Sequence, residues 1–89
     1  MKDTLIRLRI IDLEKIVFED FVTAISSFNK NGAFDVLAYH ENFITLIEKK
    51  VVITKQDKSK QEITLEKGLL KNLKNEVEIL IGVESIEFI

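Results

Sequence analysis

Apolar and polar residues alternate along several stretches of this chain, and the alternation predicts strands. Near the start, Ile6, Leu8 and Ile10 fall on one side of an extended backbone, while Arg7 and Arg9 fall on the other. A period of two residues is typical of a strand with one buried face. The clearest such run lies near the end, where the apolar face would consist of Val77, Ile79, Ile81 and Val83.

Polar segments interrupt these runs at spacings of about 8–12 residues, which is typical of a sandwich or barrel of short strands. The segments are residues 29–32, 48–50, 56–60, 66–68 and 74–75. Asn31 and Gly32 in the first segment tolerate the positive φ angles of a tight turn. We therefore predict an all-β fold of two layers, with the apolar face of each strand turned inward.

A helix competes with this interpretation in residues 66–80. Apolar positions recur there at intervals near three and four residues, namely at Leu69, Leu70, Leu73, Val77 and Leu80. This spacing suits an amphipathic helix as well as it suits strands. The residue pattern by itself leaves both possibilities open.

The length of 89 residues corresponds to one domain, which we assign to residues 1–89. The chain has no cysteine, so disulfides and thiolate metal sites are excluded. Its net charge of −2 argues against a nucleic-acid or anionic-membrane surface. No stretch approaches the roughly 20 apolar residues of a membrane span. We expect a cytoplasmic protein that meets a membrane only through a partner.

The residues give no spacing typical of a catalytic or metal site, so we predict neither an enzyme nor a cofactor. His40 is the only histidine, and its neighbour Glu41 would point to the opposite face of a strand. Five lysines flank the 56–60 turn, at Lys49, Lys50, Lys55, Lys58 and Lys60. Since no aromatic residue is interleaved with them for base stacking, we interpret them as a solvated hairpin.

Residues 32–47 read GAFDVLAYHENFITLI and combine a glycine, an aromatic residue, a histidine and an apolar strand at fixed spacing. They resemble the segment G-x-F-G-V-L-P-x-H-x-x-L-L-T-x-L of the epsilon subunit of rotary (F-type) ATP synthases. Residues 8–19 are similar to the opening L-x-I-I-x-P-E-K-V-V-F-E of that family. Residues 68–71 and 75–80 resemble its G-G-F-L-E-V-x-x-N-x-V-T-I-L. The three segments keep the family's order and nearly its spacing.

The chain departs from the common pattern where that pattern has glycine, proline and Ala-Pro, namely at Asp35, Ala38, Glu41 and Asn42. The Asn-Gly pair before Phe34 resembles the epsilon subunits of the alternate, sodium-type rotary ATPases. Many family members continue into a C-terminal helical hairpin, whereas this chain stops at Ile89. We therefore expect these residues to form the β-sandwich domain without that hairpin, and the inhibitory and ATP-binding roles that the hairpin carries are not transferred to them.

The resemblance implies a β-sandwich of about ten short strands, which favours strands over a helix in residues 66–80. It also implies a non-catalytic subunit in the central stalk of a proton- or sodium-translocating ATP synthase. Such a subunit would lie at the cytoplasmic face of the inner (plasma) membrane. It would link the gamma subunit to the membrane c-ring and couple rotation to ATP synthesis or hydrolysis.

Matching positions in the family pattern make His40, Phe43 and Thr45 the candidates for gamma-subunit contact. The candidates for c-ring contact are Asn31, Gly32 and Ala33, where Ala33 replaces a residue that is often acidic. Without the resemblance, two other functions fit the residues. One is a free-standing β-sandwich adaptor for other proteins. The other is a weak nucleic-acid binder of the oligonucleotide-barrel type, which the negative net charge disfavours.

Overall fold

The computed structural model describes residues 5–82, which form strands joined by turns. The strands are β1 (Ile6–Asp12), β2 (Lys15–Val22), β3 (Ala24–Asn29), β4 (Gly32–Leu37), β5 (Phe43–Thr54), β6 (Lys60–Leu73) and β7 (Glu76–Ile81). The all-β prediction is confirmed. The alternative of a helix over residues 66–80 is wrong, because that segment contains the second half of β6, a two-residue turn and β7.

The seven strands form one hydrogen-bonded sheet in the order β2-β1-β7-β6-β5-β3-β4. Neighbouring strands are antiparallel except β1 and β7, which are parallel. A flat sheet of this width would span about 30 Å and be one layer thick. The two smaller dimensions of the molecule are instead 24 and 23 Å. The sheet therefore folds over on itself.

Folding over produces two layers, and the β5–β6 hairpin runs through both. The first layer contains β2, β1, β7 and residues 43–48 and 67–73 of the hairpin. The second layer contains residues 49–54 and 60–65 of the hairpin together with β3 and β4. Thr23 also joins the layers, because it separates β2 from β3 and its N–H and hydroxyl both donate to the carbonyl oxygen of Thr54.

The bend in the β5–β6 hairpin is a β-bulge. Glu48 pairs with Lys67 and Lys49 pairs with Leu65, so that Glu66 is skipped in the register. Lys49 has a φ of 73°, which is uncommon for a residue other than glycine. The extra residue shifts the inward positions of β6 from odd numbers before the bulge to even numbers after it. A bulge of this kind bends and twists a strand.

The bulge explains why the predicted count of about ten short strands is too high. Residues 48–50 and 66–68 are two of the polar segments expected to separate strands, but they are the two sides of the bulge. Because pairing continues on both sides of it, β5 and β6 are long strands of 12 and 14 residues. The polar segments would divide this part of the chain into four short strands, whereas it forms two long strands.

The core lies between the layers and consists of branched apolar side chains. Its buried members are Ile6, Leu8, Ile10, Val22, Ile25, Val36, Ile47, Val51, Ile53, Leu70, Val77, Ile79 and Ile81. The predicted inward faces of β1 and β7 are confirmed, apart from Val83, which lies outside the described residues. Val36 of β4 and Ile10 of β1 belong to one cluster although their strands are far apart in the sheet order.

The outer face of the first layer carries a ladder of ion pairs. Arg9 contacts Glu19 and Glu78 at 3.5 and 3.4 Å, and Arg7 contacts Glu19 and Glu76 at 3.2 and 3.5 Å. These side chains are partly exposed, so each pair contributes about 0–1 kcal/mol. The predicted assignment of both arginines to the face opposite the core is confirmed.

Gly68 follows the bulge at a position where the backbone approaches both β5 and β7. A Cβ atom there would lie 3.0 Å from the carbonyl oxygen of Leu80 and 3.3 Å from Cγ1 of Ile47. We predict that Gly68→Ala lowers the free energy of unfolding by about 1–3 kcal/mol, because it overpacks this contact. Urea denaturation measures the change. Lys67→Ala, at the exposed neighbouring position, is the control, and equal midpoints for both variants would contradict the prediction.

Candidate protein-interaction site

The loop of residues 38–42 carries the chain from β4 in the second layer to β5 in the first layer. It begins with a tight turn in which the N–H of His40 donates to the carbonyl oxygen of Leu37 at 3.1 Å. Tyr39 occupies the third position of this turn with a φ of 68°, as a type II turn requires. Tyr39 is 70% exposed. The turn therefore presents an aromatic side chain to solvent.

Three asparagines tie this loop to the β6–β7 turn. Asn72, buried in β6, donates from Nδ2 to the carbonyl oxygens of His40 and Glu41 at 3.2 and 3.0 Å. The Oδ1 atom of Asn75 accepts from the N–H of Tyr39 at 2.6 Å. In the opposite direction, Oδ1 of Asn42 accepts from the N–H of Lys74 at 2.8 Å. The loop and the turn are thus joined by side chain–backbone hydrogen bonds.

Aromatic rings join the two layers beneath this loop. The rings of His40 and Phe43 lie 4.8 Å apart at 45°, and those of Phe43 and Phe34 lie 6.1 Å apart in an edge-to-face arrangement. Phe34 belongs to the second layer and Phe43 to the first. Edge-to-face pairs at this distance add a specific attraction to the burial of the rings. Phe43 is half-buried and packs against the core.

Thr45 extends this contact between the layers towards the β3–β4 turn. Its hydroxyl accepts from Nδ2 of Asn29 at 3.2 Å, and Oδ1 of Asn29 accepts from the N–H of Asn31 at 2.9 Å. We name the half-buried residues Phe34, His40, Phe43 and Thr45 the seam. The structure therefore brings the three gamma candidates together.

The three c-ring candidates lie next to the seam at the tip of the β3–β4 hairpin. Asn31, Gly32 and Ala33 are all exposed. Gly32 has a φ of 114°, and no neighbouring atom lies within 4 Å of the position of a Cβ. Backbone conformation, not space, therefore favours glycine there. Asn29 connects this tip to the seam through its bonds to Asn31 and Thr45.

Sequence reasoning missed the outward-facing residues of β5. Phe43 and Thr45 point towards the interior, so the intervening Ile44 and the following Leu46 face solvent, with exposures of 61% and 49%. Leu73, at the end of β6, is also exposed. The alternation of β5 could have identified these positions, since neighbours on a strand point to opposite faces. Exposed apolar side chains that lie together are typical of surfaces that bind other proteins.

The imidazole and carboxylate of the His40–Glu41 pair do not meet. The Nδ1 atom of His40 lies 3.0 Å from the carbonyl oxygen of Glu41, a backbone group. Among residues 5–82 no group of three or more His, Cys, Asp or Glu side chains could hold a metal ion. No helix able to cross a membrane occurs in this same part of the chain.

The lysines of the β5–β6 hairpin have local partners. Lys50 contacts Glu62 at 3.5 Å, and the ammonium of Lys49 lies 5.2 Å from the ring centre of Phe28. In the turn of this hairpin, hydrogen bonds from Ser59 hold the pKa of Asp57 below its usual value. These contacts agree with the interpretation as a solvated hairpin.

A shallow depression of about 230 Å³ lies on the outer face of the first layer. Its lining includes Arg7, Arg9 and Lys71, but both arginines are paired with carboxylates of the ion-pair ladder. An anion would have to displace those carboxylates to bind. The two arginines therefore do not form a free pair of guanidinium groups of the kind that binds phosphate.

The fold and its surface define a class of protein: a small two-layer β-sandwich with a seam and a hairpin tip at one end. The chain belongs to the family of the ATP synthase delta/epsilon chain, beta-sandwich domain, whose model matches residues 5–87. No curated protein matches the chain.

Two solved structures have a similar fold. A chain of the Euglena gracilis mitochondrial ATP synthase, solved as an OSCP/F1/c-ring assembly in rotational state 1, aligns with a TM-score of 0.83 and 19% identity. A chain of the Tetrahymena thermophila mitochondrial ATP synthase, from a central stalk/c-ring structure, aligns with a TM-score of 0.71 and 9% identity. The alignments cover 90% and 91% of this chain, and 52% and 66% of those chains. At these identities the likeness concerns the fold.

Adjacent positions of β5 allow a direct test of which side chains stabilise the seam. We predict that Phe43→Ala lowers the free energy of unfolding by about 2–3 kcal/mol, because a half-buried ring leaves the core and Phe34. The matched control Ile44→Ala, at an exposed position, should change it by about 0.5 kcal/mol or less. Urea denaturation compares the two. Equal effects would mean that the inward and outward faces of β5 are assigned wrongly.

Proposed function

We propose that this chain is a non-catalytic central-stalk subunit of a proton- or sodium-translocating rotary ATP synthase. The observation that carries the proposal is the family match over residues 5–87. Two structures of similar fold support it, since they come from ATP synthase assemblies that include a c-ring. In this role the chain binds the gamma subunit and the c-ring. The complex then holds it at the cytoplasmic face of the inner (plasma) membrane.

The proposed central-stalk role requires a rigid domain and no catalytic site. A spacer between two rotating parts must transmit torque without deforming, and a close-packed interior resists deformation. The two layers share a continuous apolar core, and the seam links them at the end that carries the proposed contacts. The domain thereby couples rotation of the c-ring to ATP synthesis or hydrolysis elsewhere in the complex.

The seam and the hairpin tip supply two separate contacts. His40, Phe43 and Thr45 contact gamma, and the exposed Ile44 and Leu46 beside them enlarge the apolar area available. Asn31, Gly32 and Ala33 at the exposed tip contact the c-ring. A stable interface buries about 800 Å² on each partner, which is more than one short loop offers. The strand β5 and the loop before it therefore contribute together to the gamma contact.

Co-elution with gamma tests the proposal. The chain is mixed with purified gamma subunit of the same organism, and the complex is detected by size exclusion and quantified by calorimetry. His40→Asp should weaken binding by about tenfold or more, because a charge is buried in the interface. Phe43→Leu, which keeps an apolar side chain in the seam, should weaken it less.

Lys58→Asp is the control, since Lys58 lies in the turn at the other end of the β5–β6 hairpin. It should leave the affinity for gamma within about twofold, as expected for a charge outside the interface. If the wild-type chain elutes alone, the central-stalk function is wrong and a free-standing adaptor is favoured. If it binds gamma but His40→Asp binds equally well, the contact residues are wrong.

The hairpin tip is tested with the purified c-ring of the same organism in detergent, in the presence of gamma. Ala33→Asp should increase retention of the chain by about threefold, because a carboxylate can accept hydrogen bonds from polar c-ring loops. The matched control is Leu37→Asp, which adds the same charge at an exposed position at the other end of β4. Equal retention of both variants would contradict a c-ring contact at Ala33.

A further inference from the structure

We propose that Asn72 is a positioning residue, which orders the loop of residues 38–42 so that His40 and Phe43 are preformed for docking on gamma. This inference rests on the proposed function and assigns a role to a residue outside the predicted contact set. Asn72 lies opposite Phe43 in the register of β5 and β6. It is buried within the first layer, with 2% exposure.

The hydrogen bonds of Asn72 have only one chemically sensible arrangement. Its Nδ2 atom donates to the carbonyl oxygens of His40 and Glu41. A flipped amide would put Oδ1 against two oxygens that can only accept. The Oδ1 atom is itself buried and receives no hydrogen bond from the described residues. Asn72 therefore supports the loop although its own acceptor stays buried without a hydrogen bond, which is unfavourable. An apolar side chain at this position would avoid that penalty.

The loop needs this support because its sequence supplies little rigidity. The chain has no proline, so no ring fixes a φ angle in residues 38–42. Tyr39 is held at a φ of 68°, which is unfavourable for a bulky side chain. Asn75 and Asn42 secure the two flanks of the loop, and both of these bonds lie at exposed positions. Asn72 provides the two part-buried bonds, at the centre of the loop.

Ordering the loop fixes the geometry of the seam. The carbonyl groups that Asn72 binds belong to His40 and its neighbour, so these bonds fix the backbone that carries the imidazole beside the ring of Phe43. A loop that samples other conformations must be ordered when it binds. The observed affinity is then the intrinsic affinity multiplied by the fraction of molecules whose loop is already in the binding conformation. Asn72 therefore affects gamma binding without touching gamma.

The test replaces Asn72 with valine, which removes both donors and keeps a side chain favoured in strands. Two quantities are measured: amide hydrogen exchange in the loop, and affinity for purified gamma subunit of the same organism. We expect exchange at Tyr39 and His40 to become about tenfold faster and affinity for gamma to fall about tenfold, as for a loop competent in one molecule in ten. Asn72→Ala, which also lacks a side-chain donor, repeats the test if the valine variant is poorly folded.

The matched control is Ser27→Ala. Within residues 5–82, Ser27 is the other buried polar residue, with 2% exposure. Its hydroxyl donates to the carbonyl oxygen of Lys50 at 2.8 Å, beside the bulge. Loss of this hydroxyl should lower the stability of the domain. It should leave loop exchange and gamma affinity within about twofold of the wild type, because Ser27 and Asn72 have no hydrogen-bond partner in common.

A rescue variant separates positioning from general destabilisation. Ala38 occupies the second position of the type II turn, where proline is favoured. Adding Ala38→Pro to Asn72→Val should slow loop exchange again and restore about half of the lost affinity on a logarithmic scale, because proline supplies the missing rigidity. Unchanged loop exchange in Asn72→Val would overturn the inference. So would unchanged gamma affinity alongside faster exchange. Failure of the wild-type chain to bind gamma would instead overturn the proposed function, and exchange alone would then decide whether Asn72 orders the loop.

Discussion

An apolar sheet face has to be covered, and in this domain the cover is the other half of the same sheet. Everything in the fold depends on the bulge that lets the β5–β6 hairpin turn from one layer into the other. Skipping Glu66 does two things at once. It bends the hairpin, and it moves the inward positions of β6 by one residue, so that Leu65 before the bulge and Leu70 after it both face the interior. With an uninterrupted register, one of these two leucines would point into solvent. The bulge therefore maintains both the curvature and the continuity of the core.

The sequence predicts the buried face of a strand correctly where the alternation within that single strand determines it. The inward faces of β1 and β7 follow from strict alternation, and both were found from it. Polar residues at the bulge could not be distinguished from a turn, because both features place consecutive hydrophilic side chains on the surface. Only the pairing of Glu48 with Lys67 across the hairpin identifies them as one feature. Asn72 could not be recognised either, since its partners are backbone carbonyls more than thirty positions away in the chain.

The candidate site illustrates how a family pattern and a three-dimensional arrangement inform each other. The pattern drew attention to His40, Phe43 and Thr45, and the structure groups them along one seam. It also places two of them on the inward side of β5, with Ile44 and Leu46 on the outward side. A sequence motif identifies the segment of the chain, but it does not show which side chains of that segment are exposed. The seam residues thus join the two layers and, because they are only half-buried, also keep part of their surface for the proposed partner, while Ile44 and Leu46 add apolar area beside them.

The parallel pairing of β1 with β7 has a consequence for how the domain forms on the ribosome. Arg7 and Glu76 are neighbours across this pair although they are 69 positions apart. Until β7 has been synthesised, β1 can pair only with β2. The edge of β1 that later pairs with β7 has no neighbour during this time. Contacts between positions so far apart in the chain form late and slowly. The nascent chain therefore exposes the apolar face of β1 until β7 has been made, and we expect chaperones that bind extended apolar segments to recognise it during that interval.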